Sequence, residues 1–255
     1  MSPGGAPNPR RPLAAPVTVA FAGAAALALA GCTTTQELSA QRAKELGAVG
    51  SQHEPLVRLG RATPGVRLGR PTLLGGADGA AVAIEVRNVG ERALVDLPIG
   101  VRVRRGATSL YTNRTAGLDR ELLRVTALRP GERLTWVNDQ LPADAARGRA
   151  VANPGRARTV PAARIPRLRV SGLHGGREDG RATAAGRVRN DGSVTQANLV
   201  VFVTAERGGR TVAAGAAEIE RLAPGASESF VAFLVGDARG ARLRAAAPPT
   251  VLRKK

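Results

Sequence analysis

The chain offers a single thiol, Cys32, and two imidazoles, His53 and His174. A cysteine thiolate is a strong nucleophile and a metal ligand, so its neighbours decide whether it reacts, binds or is itself modified. Cys32 closes the run Leu29-Ala30-Gly31-Cys32 and is followed at once by Thr33-Thr34-Thr35-Gln36. Histidine-assisted nucleophilic catalysis or a zinc site would need His, Cys and carboxylates converging, and no such cluster is visible. His53 falls in a segment without strand pattern, and His174 falls in a Gly-rich turn. No Gly-rich phosphate loop of recognised spacing is present. Asp139 and Asp191-Gly192 have cation-binding chemistry, but isolated acids at turns read as turn formers. Asn113-Arg114-Thr115 has the pattern of a glycosylation sequon and reads as accidental. Tyr111, with Arg102, Arg104, Arg105 and Arg114 nearby, is the one place where an aromatic meets a basic cluster. That cluster is the candidate polyanion contact, and a solvated hairpin is the competing reading. No catalytic residue, metal or cofactor is expected.

The element that positions Cys32 is an export signal. In residues 1–31 the only charges are Arg10 and Arg11, and Leu13 to Ala30 reads LAAPVTVAFAGAAALALA. A cationic start, an apolar middle and a small-residue exit make the secretory pattern. The run is weakly hydrophobic, and Pro16 disfavours a rigid helix near its start, so cleavage is expected over an uncleaved anchor. The Arg10-Arg11 pair leaves the export route open between the general and twin-arginine pathways. Leu29-Ala30-Gly31-Cys32 resembles a bacterial lipobox. The resemblance implies a diacylglyceryl group on the Cys32 sulfur, removal of residues 1–31, and an extracytoplasmic chain anchored to the cell membrane, or to the outer membrane in a Gram-negative source. Two acyl chains anchor stably where one is marginal.

Losing Arg10 and Arg11 with the signal takes the formal charge from +18 to about +16. Nearly all of this charge is arginine, with lysine only at Lys44, Lys254 and Lys255. Abundant Ala, Gly and Pro beside it have the look of a GC-rich codon bias. An exported chain rarely meets nucleic acid, so none is expected as a partner; anionic lipid headgroups or an acidic envelope polymer are the expected neighbours. With Cys32 acylated no disulfide is available, and Val, Leu, Ile and Ala must fill the core.

Residues 32–65 carry no strand signature and read as a lipidated N-terminus and tether, spanning about 30 Å as a flexible chain. The remainder repeats itself. Val86-Arg87-Asn88-Val89-Gly90 returns as Val188-Arg189-Asn190-Asp191-Gly192, and Leu128-Arg129-Pro130-Gly131 returns as Leu222-Ala223-Pro224-Gly225. Each Leu-x-Pro-Gly is followed at the same distance by an aromatic, Trp136 and then Phe230. Asn-x-Gly and Pro-Gly supply turn conformations that ordinary residues resist. Between these marks the apolar period is two: Val82, Ile84 and Val86, then Leu97, Ile99, Val101 and Val103, and in the second copy Leu199, Val201 and Val203, then Phe230, Ala232 and Leu234. This predicts an all-β fold of two antiparallel sandwiches, at 66–142 and 164–252, joined by an Ala-, Arg-, Gly- and Pro-rich linker at 143–163, within which a last strand near Thr159-Val160 is an open alternative.

The order of V-x-N-x-G, strand pair, L-x-P-G and aromatic strand resembles the immunoglobulin-like domains of bacterial surface proteins of the CARDB and FxLYD type. The second copy matches better than the first. The resemblance implies a non-catalytic adhesion, assembly or spacer module; the motifs themselves recur in many sandwiches and speak for fold alone.

The two copies differ on their outer faces. Outward positions in the first are Pro98, Gly100, Arg102 and Arg104, with Thr135 and Val137; in the second they are Val200, Phe202 and Thr204, with Val231, Phe233 and Val235. If the two strands neighbour each other in one sheet, Val200, Phe202, Val231, Phe233 and Val235 form an apolar patch that either receives a protein partner or packs on the first copy. The expected function is therefore a lipid-anchored, non-enzymatic envelope protein that binds or spaces a protein partner. Two alternatives remain: a polyanion or anionic-lipid binder working through the arginine face, and a solute-binding or enzymatic lipoprotein, against which the missing catalytic set and small domains argue.

Overall fold

The computed structural model describes residues 59–77, 79–114 and 123–253. Leu29, Ala30, Gly31, Cys32, His53 and most of the tether lie outside the described residues. The first copy contributes β1 (Val66–Leu68), β2 (Thr72–Gly75), β3 (Ala80–Asn88), β4 (Ala93–Arg105), β5 (Thr108–Thr112), β6 (Arg124–Leu128), β7 (Arg133–Leu141), β8 (Arg149–Pro154) and β9 (Arg158–Val160). All pairings are antiparallel. β1 and β2 pair with successive stretches of β3, which also carries β7. β5 and β6 pair with successive stretches of β4, and β8 and β9 do the same. Val82, Ile84, Val86 and Trp136 from one sheet meet Leu97, Ile99, Val101 and Val103 from the other in a buried core, as period-two alternation requires.

The second copy follows the same scheme with fewer interruptions: β10 (Leu168–Glu178), β11 (Arg181–Asn190), β12 (Gln196–Arg207), β13 (Arg210–Leu222), β14 (Ser227–Gly236) and β15 (Arg242–Ala246). The sheet order is β10-β11-β14-β13-β12-β15, but β14 joins β13 only through Ala213↔Gly236 and Ala214↔Val235. The order therefore folds into two layers, with Leu199, Val201, Val203, Phe230, Ala232 and Leu234 between them.

The repeated motifs meet in space. Asn88 is fully buried, and its Nδ2 donates to the carbonyls of Arg92 at 2.8 Å, Leu128 at 3.2 Å and Arg129 at 3.1 Å, while its Oδ1 accepts from Gly90 N–H at 3.0 Å. Asn190 does the same in the second copy, donating to Val194 O at 2.9 Å and Leu222 O at 3.1 Å and accepting from Gly192 N–H at 2.9 Å. The Pro-Gly turns reply through their backbones, with Gly131 N–H on Asn88 O and Gly225 N–H on Asn190 O. One asparagine thus satisfies both its own turn and the Leu-x-Pro-Gly turn across the sandwich, which is why the two motifs recur together. A second shared device follows each asparagine. Asp96 (φ 53°) and Asn198 (φ 48°) drop out of the pairings of β4 with β6 and of β12 with β13, and the register is the same on either side of them. Asp and Asn tolerate this left-handed backbone better than other non-glycine residues.

Two expectations change. Residues 143–163 are more than a linker: β9 stands where a last strand near Thr159-Val160 was open, and β8, which was not expected, also pairs with β4. And β12 and β14 are not neighbours, since β13 stands between them. The outer faces then close on one another. Val200, Phe202, Ala214, Ala216 and Val235 share one buried cluster with Ala81, Ala83 and Val137 of the first copy. Alanine at Ala81, Ala83, Ala214 and Ala216 lets the two sandwiches approach closely. Across this contact Asp139 Oδ2 accepts the Ala216 backbone N–H at 3.0 Å, fully desolvated. The C-terminal residues strap the pair: Thr126 donates to Pro248 O at 3.0 Å, and buried Gln196 accepts from Thr250 and Val251 N–H at 2.9 and 3.0 Å.

Candidate functional site: an arginine-lined groove

The sheet of β5, β4 and β8 has one face on the core and one on solvent. On the solvent face the register sets Arg102 between Thr112 and Val151, Arg104 between Ser109 and Arg149, and Gly100 beside Asn153. Together with Leu59 and Arg114 these residues, Ser109 excepted, line a groove of about 480 Å³. Among the described residues four arginines line it and no carboxylate does. Arg104 and Arg149 face each other directly in the ladder, an arrangement of like charges that costs stability unless an anion sits between them. Arg104 is steadied by donating through Nη2 to Ala107 O at 2.9 Å. Elsewhere many arginines are neutralised: Asp96 holds Arg124 and Arg158, Asp191 holds Arg169 and Arg189, and Asp237 holds Arg207 and Arg239. The Arg239 hydrogen bonds keep the exposed Asp237 carboxyl down at about 2.

Of the residues expected at a polyanion contact, Arg102, Arg104 and Arg114 come together in the groove, while Arg105 and Tyr111 do not line it. Tyr111 is paired with Val103 and so shares its inward face; it packs on the core, and its hydroxyl accepts from Asn138 Nδ2 at 3.0 Å. Arg105 stands exposed at the β4–β5 turn. Arg149, Val151 and Asn153 were not legible, because the inward residues of β8 are Ala150, Ala152 and Pro154, too weakly apolar to make the alternation visible. Asn113 is fully buried, its Oδ1 accepting from Val101 N–H at 2.8 Å and its Nδ2 donating to Ile99 O at 2.6 Å, so it continues the β4 ladder and is inaccessible to a glycan. Among the described residues no group of three His, Cys, Asp or Glu converges on a metal position.

The apolar patch expected on the second copy does not exist as a free surface. Val200, Phe202 and Val235 are buried against the first copy. Val231 and Phe233 are half-buried on β14, and the Arg181 guanidinium lies 3.8 Å from the centre of the Phe233 ring. Phe230 does point the other way, into the core of its own sandwich.

Tyr111 gives a direct test of the inward assignment. Burial pushes its phenol up to about 12, the Asn138 hydrogen bond opposes this, and the Asp139 charge adds to it. It is the only tyrosine in the chain, so its ultraviolet titration is unambiguous. The unfolded phenol ionises near 10, earlier than the folded one, so stability present below pH 10 is lost as pH rises towards about 12. Tyr111→Phe removes that part of the slope. A folded-state midpoint near 10 would show the ring to be solvated.

No family model matches the chain, and no curated protein matches it.

Proposed function

We propose that the chain is a lipid-anchored, non-enzymatic envelope protein whose two immunoglobulin-like sandwiches, packed as one body, present the arginine groove to an anionic component of the envelope. The observation that carries the reading is the convergence of Arg102, Arg104, Arg114 and Arg149, with no acid among the described residues that line the groove with them. Guanidinium forks pair with phosphate or carboxylate through two hydrogen bonds at once, which a solvated lysine patch does less well. The anchor rests on Cys32 at the end of the apolar run. Val200, Phe202 and Val235, three of the five residues of the face expected to receive a protein partner, are internal, and this favours the anionic reading over the protein one.

The Cys32→Ala chain, expressed without its lipid, should be retained by an immobilised glycerol-phosphate polymer and pass through a neutral glucan. Retention that vanishes at modest salt on every charged matrix alike would mean only non-specific attraction. In cells the same substitution should abolish acylation and shift the protein from the membrane fraction to soluble or unprocessed forms. An unmodified Cys32 thiol in the mature chain, seen by mass spectrometry, would remove the anchor from the proposal.

A further inference from the structure

Resting on the reading that the groove takes anions, we infer that its occupant is the phosphate of anionic lipid headgroups, in the same membrane that holds the Cys32 anchor. The first described residue, Leu59, is itself part of the groove wall. Its side chain lies over Gly100, where a Cβ would come within 2.6 Å of the Leu59 Cδ1, and its carbonyl accepts the Arg156 N–H. The chain arriving from Cys32 therefore enters the folded body at the arginine face. Only 26 residues separate Cys32 from Leu59, and a chain reaches at most about 3.5 Å per residue, so a lipid on Cys32 keeps the groove within reach of the bilayer that carries it. A link of this length raises the effective concentration of a second contact, and a contact that is weak but measurable in free solution then becomes persistent.

The composition of the groove points the same way. Val151, at 56% exposure, is the most exposed large aliphatic side chain among the described residues, and it sits between the arginines with Leu59 beside it. A fully hydrated acidic polymer has no use for apolar side chains, whereas the headgroup boundary of a bilayer accepts both kinds. Each basic group held near an anionic leaflet raises partitioning about fivefold, so four give a contact that is weak alone and strong when tethered. Docking would lay the β5-β4-β8 face on the bilayer and turn one attachment into two.

The test uses the full Cys32→Ala chain, which carries no acyl group, sedimented with phosphatidylglycerol-containing vesicles or with pure phosphatidylcholine vesicles, and in parallel titrated with soluble glycerol-phosphate polymer. Binding to the anionic vesicles alone is expected. Arg102→Glu with Arg149→Glu should lower partitioning at least about tenfold. Val151→Ser, a neutral change at an exposed position that leaves the fold intact by circular dichroism and the charge of the groove as it was, should lower vesicle binding about fivefold and polymer binding far less. Absence of vesicle binding with polymer binding retained overturns this inference and leaves the anionic reading standing. Absence of both overturns the two together. Equal loss of both on Val151→Ser shows a polymer site rather than a membrane face.

Discussion

Phe202→Ala should lower the melting temperature of the folded chain by about 10 °C, while Phe233→Ala should lower it far less. The two phenylalanines stand at outward positions of the same repeat, yet their surroundings differ. Phe202 is 2% exposed, enclosed by residues of both sandwiches, and truncating a buried phenylalanine costs about 3–5 kcal/mol through lost burial and the cavity left behind. Phe233 is half-buried beneath Arg181, so its loss removes one cation–π contact and part of its burial. The character of the transition carries information too. Because Val200, Phe202, Ala214 and Ala216 share one cluster with Ala81, Ala83 and Val137, the wild-type chain should melt in a single transition. Phe202→Ala should begin to separate the two sandwiches, giving a broader or double one. Equal, small shifts for both variants would mean that the sandwiches do not share a core.

Asn88→Ala should destabilise the chain by about 2–4 kcal/mol, more than most single polar substitutions. Its Nδ2 serves the carbonyls of Arg92, Leu128 and Arg129, and its Oδ1 serves Gly90 N–H. Alanine leaves these backbone groups in a site where the asparagine itself is fully buried, and water reaches it poorly. Asn88→Asp separates hydrogen bonding from size: the carboxylate keeps the acceptor for Gly90 but presents oxygens to three carbonyl oxygens, so it should be at least as damaging as alanine. Asn190→Ala should behave similarly, with Val194 and Leu222 carbonyls abandoned. Urea unfolding of the four proteins measures this. A loss under 1 kcal/mol at both asparagines would show the clasp to be ornamental.

Where side chains are large and alternate, the sequence announces its structure. Val82, Ile84 and Val86, or Leu97 to Val103, can only put one face on a core, and the recurring asparagine and Pro-Gly turns mark where these strands stop. Alanine carries no such message. Ala150 and Ala152 hide β8, and with it Arg149 and Val151 of the groove. Ala213, Ala214, Gly215, Ala216 and Ala217 hide β13, which separates β12 from β14 and breaks up the supposed apolar patch. The outer alanines of β3 likewise concealed that Phe202 is covered. The arginine cluster was half legible, since alternation along β4 gives Arg102 and Arg104 one face. Tyr111 was misplaced because its facing is set by pairing with Val103 across the hairpin, a relation that depends on the irregular register between Val103 and Arg104.

The most direct measurement compares charge reversal inside and outside the groove at constant net charge. Arg102→Glu with Arg149→Glu alters two residues of the groove lining, whereas Arg187→Glu with Arg221→Glu alters two exposed arginines of the second sandwich by the same amount. Binding of the Cys32→Ala chain to glycerol-phosphate polymer and to phosphatidylglycerol vesicles, titrated at about physiological ionic strength, reads the difference. If the groove is an anion site, the first pair loses at least about tenfold in affinity and the second loses little. Equal losses for the two pairs would mean that the chain's positive charge acts as a whole, and the groove would then be no site at all.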